Sequence, residues 1–365
     1  SRKATTPFYA NTANSLAFSV LMPQKRFVEA EEVLLQALCS TDVREKINAY
    51  SNLAMVAFHL KEYDAAKRYA NVGANSHDMA IASESRLTLI QIENQRLSED
   101  ENVPAELWDD LVNQIQEDLR NTHFDDADDL FQLLISACQR SSFNKDLVDV
   151  VQKQYENLKD NIEWNYNPKI TANIEIARID LLSERYLREE KYDKLHELFA
   201  SGIEYLQNHY SETLLAYLET SQASQELRRK CLSISDKRFL ANWAKFEKDP
   251  EINLELSRNK FEPILLALAQ NPAVTDPVLK IIADENDLDL DFAISTRDAL
   301  SQEMVAVLIS SNFETVRREI ASRPDLEYSD YERLATDEAL LVRDAIRENP
   351  ACSAELKALA ALGSL

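Results

Sequence analysis

The sequence predicts an all-α chain, a two-section α-solenoid of helical hairpins, and three observations carry that prediction. Glycine occurs only 3 times, at Gly73, Gly202 and Gly363, whereas sheets, hairpins and phosphate loops depend on glycine where φ is positive. Apolar residues recur at helical spacing through the first half, in segments broken by short polar turns. Near the end, Asn271-Pro272, Arg297-Asp298, Arg323-Pro324 and Asn349-Pro350 follow each other at steps of 26 residues. An internal repeat of this length belongs to an array whose units cannot bury their own apolar faces and so must stack. Such an array is a surface built to hold something.

Composition narrows the function. At 365 residues the chain exceeds one compact core of ordinary size, so two or more structural units are expected. Its 45% apolar and 28% charged residues are a globular balance. With 63 acidic against 40 basic residues the formal charge is −23. Nucleic acids and anionic membranes bind basic surfaces, so neither is an expected partner. No apolar run approaches the roughly 20 residues of a membrane helix. The start, Ser1-Arg2-Lys3-Ala4, has no apolar core of a signal peptide after it and reads as a mature cytoplasmic terminus. Cys39, Cys138, Cys231 and Cys352 stand singly, without metal spacing, and are expected as buried thiols of a cytoplasmic protein.

The first half reads as paired helices. Asn52 to Phe58 and Tyr63 to Gly73 alternate small and large apolar residues around a Lys61-Glu62 turn, which places an antiparallel pair there with Ala66 at the close crossing. The same arrangement stands 36 residues earlier, at Phe27, Ala30, Leu34 and Ala37, after Ala17 and Phe18. A fainter copy runs through Leu182, Tyr186, Tyr192, Leu195, Phe199 and Gly202. These residues resemble the tetratricopeptide repeat. The family's small crossing residue matches Ala30 and Ala66. Its turn aromatic matches Phe27, Tyr63 and Tyr192, and its later small residue matches Ala37, Gly73 and Gly202. Lys61 replaces the turn glycine. Further helices are expected at roughly 80–97, 105–120, 125–139 and 145–159, giving a tetratricopeptide-like section over 1–235.

A helix from Glu212 to Cys231 is expected next, then Asp236 as an N-cap and a connecting helix or linker over 236–257. From 258 to 365 each unit holds a short helix stopped before Asn-Pro or its equivalent, because proline disfavours helical backbone at the preceding residue. The apolar register is Ile264, Leu290, Val316 and Val342, then Leu268, Ile294, Ile320 and Ile346. These units resemble the variant leucine-rich repeats of bacteria, whose solenoids are similar to HEAT arrays. The stretches Val316 to Pro324 and Val342 to Pro350 match best. Asp291 and Asp298 depart from the pattern, and the iron–sulfur cysteines of some family members are missing.

Chemistry finds little footing. His59, His77, His123, His196 and His209 lie far apart and form no HExxH motif. The acidic run Asp284 to Asp291 lacks the glycine and glutamate of a calcium loop and reads as a solvated turn with strand-like spacing. No nucleophile elbow or glycine-rich loop occurs. No catalytic activity, metal or cofactor is expected.

Binding residues are better indicated. In the resembled repeat the first helix of each pair lines a concave groove, which places Asn11, Asn14, Asn48 and Asn52 where they would hold a peptide backbone. Ser15 and Ser51 stand where a carboxylate clamp would need lysine. From Glu99 to Asp129 the chain carries twelve acids, Glu101, Asp109 and Asp110 among them, and one Lys or Arg residue, Arg120. These acids are either solvated helix faces or a patch that steers a basic partner, with Trp108 as a core residue or an anchor. Arg317 and Arg343 share one register, as do Arg297 and Arg323. They form either ion pairs with Asp298, Glu319, Asp325 and Asp344 or a strip for an acidic peptide or phosphate. The expected function is a protein-binding adaptor or scaffold. The alternatives are a regulator sensing a peptide or small ligand, and an acidic polyanion mimic bound to a basic protein.

Overall fold

The computed structural model describes residues 7–362 except 101, 122, 162, 163 and 165. Among the described residues every regular element is a helix and no strand occurs. The chain divides into two compact units, Ser1–Leu182 and Ser183–Leu365.

The first unit opens with Pro7–Leu16, prolonged by a π-helical turn Ala17–Leu21, and then Phe27–Ala37. Val43–His59, Tyr63–Ala74, Met79–Ser98, Ala105–Asn121, Ala127–Arg140 and Leu147–Lys159 follow, close to the expected bounds. The tight turns repeat one geometry. Lys25 and Lys61 take positive φ, 59° and 64°. Arg26 N–H reaches back to Leu21 O at 2.9 Å and Glu62 N–H to Ala57 O at 2.8 Å. This is the six-to-one bond of a helix end closed by a left-handed residue, a place glycine usually fills. In the second unit Glu190, at φ 55°, forms the same turn, with Lys191 N–H on Tyr186 O at 2.8 Å. Three pairs that the aromatic and small-residue spacing indicated therefore share a turn as well.

Small residues set the helix crossings. Ala30 and Ala66 are fully buried. A Cβ added to Gly73 would lie 2.0 Å from Ser85 Oγ, so the helices Tyr63–Ala74 and Met79–Ser98 approach where only hydrogen fits. Trp108, Leu111, Val112 and Ile115 anchor the main core of this unit with Phe124, Phe131 and Leu134.

In the second unit the helices shorten. The helix expected from Glu212 to Cys231 is two, Glu212–Glu219 and Gln225–Cys231, because Ser224 Oγ accepts from Leu227 N–H at 3.2 Å and caps a new start. Residues 236–257, expected as a connection, hold a pair of the same size, Lys237–Ala244 and Pro250–Ser257. Asp236 caps the first at Phe239 N–H, 2.9 Å away, as its position indicated. The units then keep strict step. First helices run Glu262–Gln270, Leu288–Ser295, Glu314–Ala321 and Leu340–Glu348, and second helices Asp276–Ala283, Gln302–Ile309, Tyr328–Ala335 and Ala354–Leu362. The strand-like spacing around Leu288 is overridden by Asp287, whose carboxylate accepts from Asp289 and Leu290 N–H at 2.9 and 3.1 Å and starts a helix. All eight register residues from Ile264 to Ile346 are buried, none more than 2% exposed.

The most conspicuous register position is a cap passed from unit to unit. Asn271 Nδ2 donates to Ala244 O and Glu247 O at 2.8 and 2.7 Å. Arg297 Nη1 donates to Ala269 O and Asn271 O, both at 2.7 Å. Arg323 Nη1 reaches Arg297 O at 2.6 Å, and Asn349 Nδ2 reaches Ala321 O and Arg323 O at 2.9 and 2.8 Å. Ala244 and Ala321 end their helices and Ala269 lies in a last turn, where carbonyls lack intrahelical partners. Asn271 and Asn349 also accept from the second residue onward, Ala273 and Ala351 N–H, each at 2.9 Å, which turns the chain through the proline.

Candidate functional site

Residues of three successive first helices, with one turn, line a groove of about 480 Å³ in the first unit. Pro7–Leu16 and its π-helical continuation contribute Asn11, Asn14, Ser15, Phe18 and Ser19. Val43–His59 contributes Asn48 and Asn52, and Met79–Ser98 contributes Ala80, Ile81 and Glu84. The turn before Ala127–Arg140 adds His123, Asp125 and Asp126. The four predicted asparagines thus stand on one surface, spaced by helical turns along two neighbouring helices.

Their hydrogen bonding divides them. Asn11 Nδ2 donates to Glu45 Oε1 at 3.3 Å, and Asn14 Nδ2 to Glu45 O and Oε2, both at 3.0 Å. Asn52 donates to Asn14 Oδ1 at 3.4 Å, and among the described residues nothing donates to its own Oδ1, although only 3% of the residue is exposed. Asn48, half-buried, makes no side-chain hydrogen bond among them. Asn48 and Asn52 are the amides with open valence.

The far end is acidic. Ser85 Oγ donates to Ser51 Oγ at 2.9 Å, and Ser51 Oγ to Glu84 Oε2 at 3.0 Å. Asp126 Oδ2 accepts from Ser83 Oγ, and Asp125 Oδ1 accepts from Asn167 Nδ2 at 2.7 Å. Burial pushes the carboxyls of both Glu84 and Asp126 above the usual range, against the Ser51 and Ser83 hydrogen bonds. The negative charge of Asp126 raises Glu84 further. Among the described residues no Lys or Arg lines the groove. His123 Nδ1 lies 3.4 Å from Asp125 Oδ2.

The other predicted residues lie elsewhere, and Trp108, Asp109, Arg317 and Arg343 are engaged by the chain itself. Trp108, 4% exposed, is a core residue with the Arg140 guanidinium 5.1 Å from its ring centre. Asp109 accepts from Ser142 N–H and Oγ at 2.8 and 2.7 Å, while Asp110 is exposed. Glu101 lies outside the described residues. Within the acidic stretch Asp118, Asp126 and Asp129 have carboxyls raised by burial, so these three are not fully solvated. The arginine strip is corrected: Arg317 is 8% and Arg343 5% exposed. Arg317 clasps Asp337 at 2.7 and 3.1 Å, and Arg343 Nη1 donates to Asp337 O and Glu338 O at 2.6 and 2.9 Å. Of the expected arginine partners, Asp325 pairs with Arg323 at 3.0 Å.

Among the described residues no group of three His, Cys, Asp or Glu is placed to hold a metal ion, and no helix is long and apolar enough to cross a membrane. Cys138 and Cys231 are buried, with thiols pushed up to about 12. Cys39 is exposed, contrary to expectation, in the turn beyond Phe27–Ala37. No protein-family model matches the chain, and no curated protein or solved structure matches it.

Sequence reasoning missed Glu84 and Phe18 as groove residues. Phe18 had a signal, an aromatic on a first helix that the core does not need, and it is 52% exposed. Glu84 had none, because its neighbours Ser51 and Asp126 are distant in sequence.

Proposed function

We propose that the chain is a non-catalytic cytoplasmic adaptor that binds another protein through its helical arrays, the first unit's groove receiving an extended segment. The observation that carries this reading is the meeting of Asn48, Asn52, Phe18 and Glu84 along one 480 Å³ groove. Open amides suit the alternating donors and acceptors of a peptide backbone, and an exposed ring suits an apolar side chain. Four unpaired cysteines accord with a reducing compartment.

The test is crosslinking at defined positions. A photoreactive benzoylphenylalanine at Ser19, on the groove, is expected to give a light-dependent adduct with a partner protein in cell extract. The same residue at Glu32, exposed on the helix Phe27–Ala37, is expected to give none. Equal adducts at both positions, or none at Ser19, would remove the groove from the function.

A further inference from the structure

Resting on this groove reading, we infer that the occupant is an extended polypeptide segment whose arginine or lysine side chain seats beside Glu84 and Asp126.

The argument is one of missing charge. Three other buried or nearly buried acids are matched by the chain's own cations: Glu247 by Arg228 at 2.7 Å, Glu175 by Arg178 at 3.0 Å and Asp337 by Arg317 at 2.7 Å. At the groove's acidic end, among the described residues, the protein offers hydroxyls from Ser51 and Ser83 and, beside Asp126, the His123 imidazole, but no Lys or Arg. Hydroxyls satisfy an oxygen lone pair without neutralising the ion, so two half-buried carboxylates are left acting on each other. A guanidinium or ammonium arriving from outside relieves that repulsion and takes the remaining lone pairs in charge-assisted hydrogen bonds.

The groove also indicates that the cation comes attached to a backbone. Asn52 is nine-tenths buried and lines the groove; its Nδ2 is bonded to Asn14, and among the described residues nothing donates to its Oδ1, nor does Asn48 beside it make a side-chain hydrogen bond. Both belong to Val43–His59, the first helix of the pair before Met79–Ser98, which carries Glu84, so backbone contacts and the side-chain seat fall on adjacent first helices. A bare metal ion does not fit, since among the described residues no three ligating groups converge. A free polyamine would leave the two amides and Phe18 without a role.

The experiment is a peptide array. Randomised decapeptides are printed in three versions that differ only at the centre, with arginine, glutamine or glutamate, and are probed with the full chain. Wild type is expected to retain the arginine versions at least fivefold over the glutamine versions, with the glutamate versions weakest. Glu84→Gln and Asp126→Asn should each flatten that preference while retaining the glutamine versions at the wild-type level. Asn48→Ala should weaken all three versions alike. Circular dichroism and melting curves verify that each variant folds. Peptides retained by wild type with no preference for the cationic centre would overturn the seat and leave the groove reading standing. Retention that is indifferent to Asn48→Ala and to Phe18→Ala, or no retention at all, would overturn both.

Discussion

Asp291 and Arg317 hold equivalent places in consecutive units, 26 residues apart, with opposite charge. Their partners are equivalent too: Asp291 Oδ2 accepts from Ser311 Oγ at 2.7 Å, and Arg317 donates to Asp337, which stands 26 residues beyond Ser311. The exchange leaves Asp291 in an awkward state. It is 4% exposed, burial raises its carboxyl, and Oδ1 finds no partner. One unit therefore carries an unmatched acid where the next carries a closed ion pair.

Restoring the pair in the earlier unit tests that equivalence. Asp291→Arg alone buries a cation against a hydroxyl, and Ser311→Asp alone sets two acids together, so each should destabilise. Combined, they should regain about 1–3 kcal/mol relative to the sum of the single changes. Urea denaturation of the four chains measures the coupling, and strictly additive effects would show that the two units are not interchangeable.

The register caps should be costly to remove. Asn349→Ala leaves Ala321 O without its side-chain donor and Arg323 O with the Tyr331 hydroxyl alone, which is expected to cost about 1–3 kcal/mol. Asn349→Asp retains the acceptor for Ala351 N–H but loses the donor, and should cost nearly as much. A loss below a few tenths of a kcal/mol in both variants would mean that water replaces the cap freely.

Glu84 gives a pH signature. Its carboxyl is raised in the folded state, so ionisation weakens the fold. Stability is greatest below the ordinary carboxylate pKa and declines as pH climbs from there through the raised value. Glu84→Gln removes that decline. The variant is expected to melt higher than wild type at pH 7.5, with the difference shrinking towards pH 4. A difference that is constant with pH would assign the effect to packing.

Gly73 should tolerate nothing larger. Gly73→Ala brings a Cβ to 2.0 Å from Ser85 Oγ and is expected to cost about 1–3 kcal/mol. Ser85→Ala in the same chain removes the nearer atom, leaving Ser85 Cβ at 3.0 Å, and should recover part of the loss. Thermal melts of the single and double variants decide this. No recovery would place the strain elsewhere.

Much of the fold was legible because it is local. Ala30, Ala66 and Gly73 announce helix crossings, proline after Asn271 and Asn349 announces helix ends, and the buried positions of the second unit keep their step without exception. Caps decided where local patterns misled. Ser224 divided an otherwise continuous helix, and Asp287 turned an alternating run into a helix start. The groove asparagines were legible through the resemblance, which implies that the first helix of each pair lines a groove. Glu84 and Asp126 were not, since 42 residues separate them and nothing in either neighbourhood reports the other. The partner of Arg317 was not legible because Asp337 sits in the turn after the following helix.

The caps also give the second unit a direction in time. Each is donated by later chain to earlier chain: Asn271 to Ala244, Arg297 to Ala269, Arg323 to Arg297, Asn349 to Ala321. During synthesis a helix pair leaves the ribosome before the residue that closes its carbonyls, and waits for its successor. A premature stop therefore injures the last unit it spares, whereas residues lost from the front carry no donor away. Growth of the array is completed from its tail, one successor at a time.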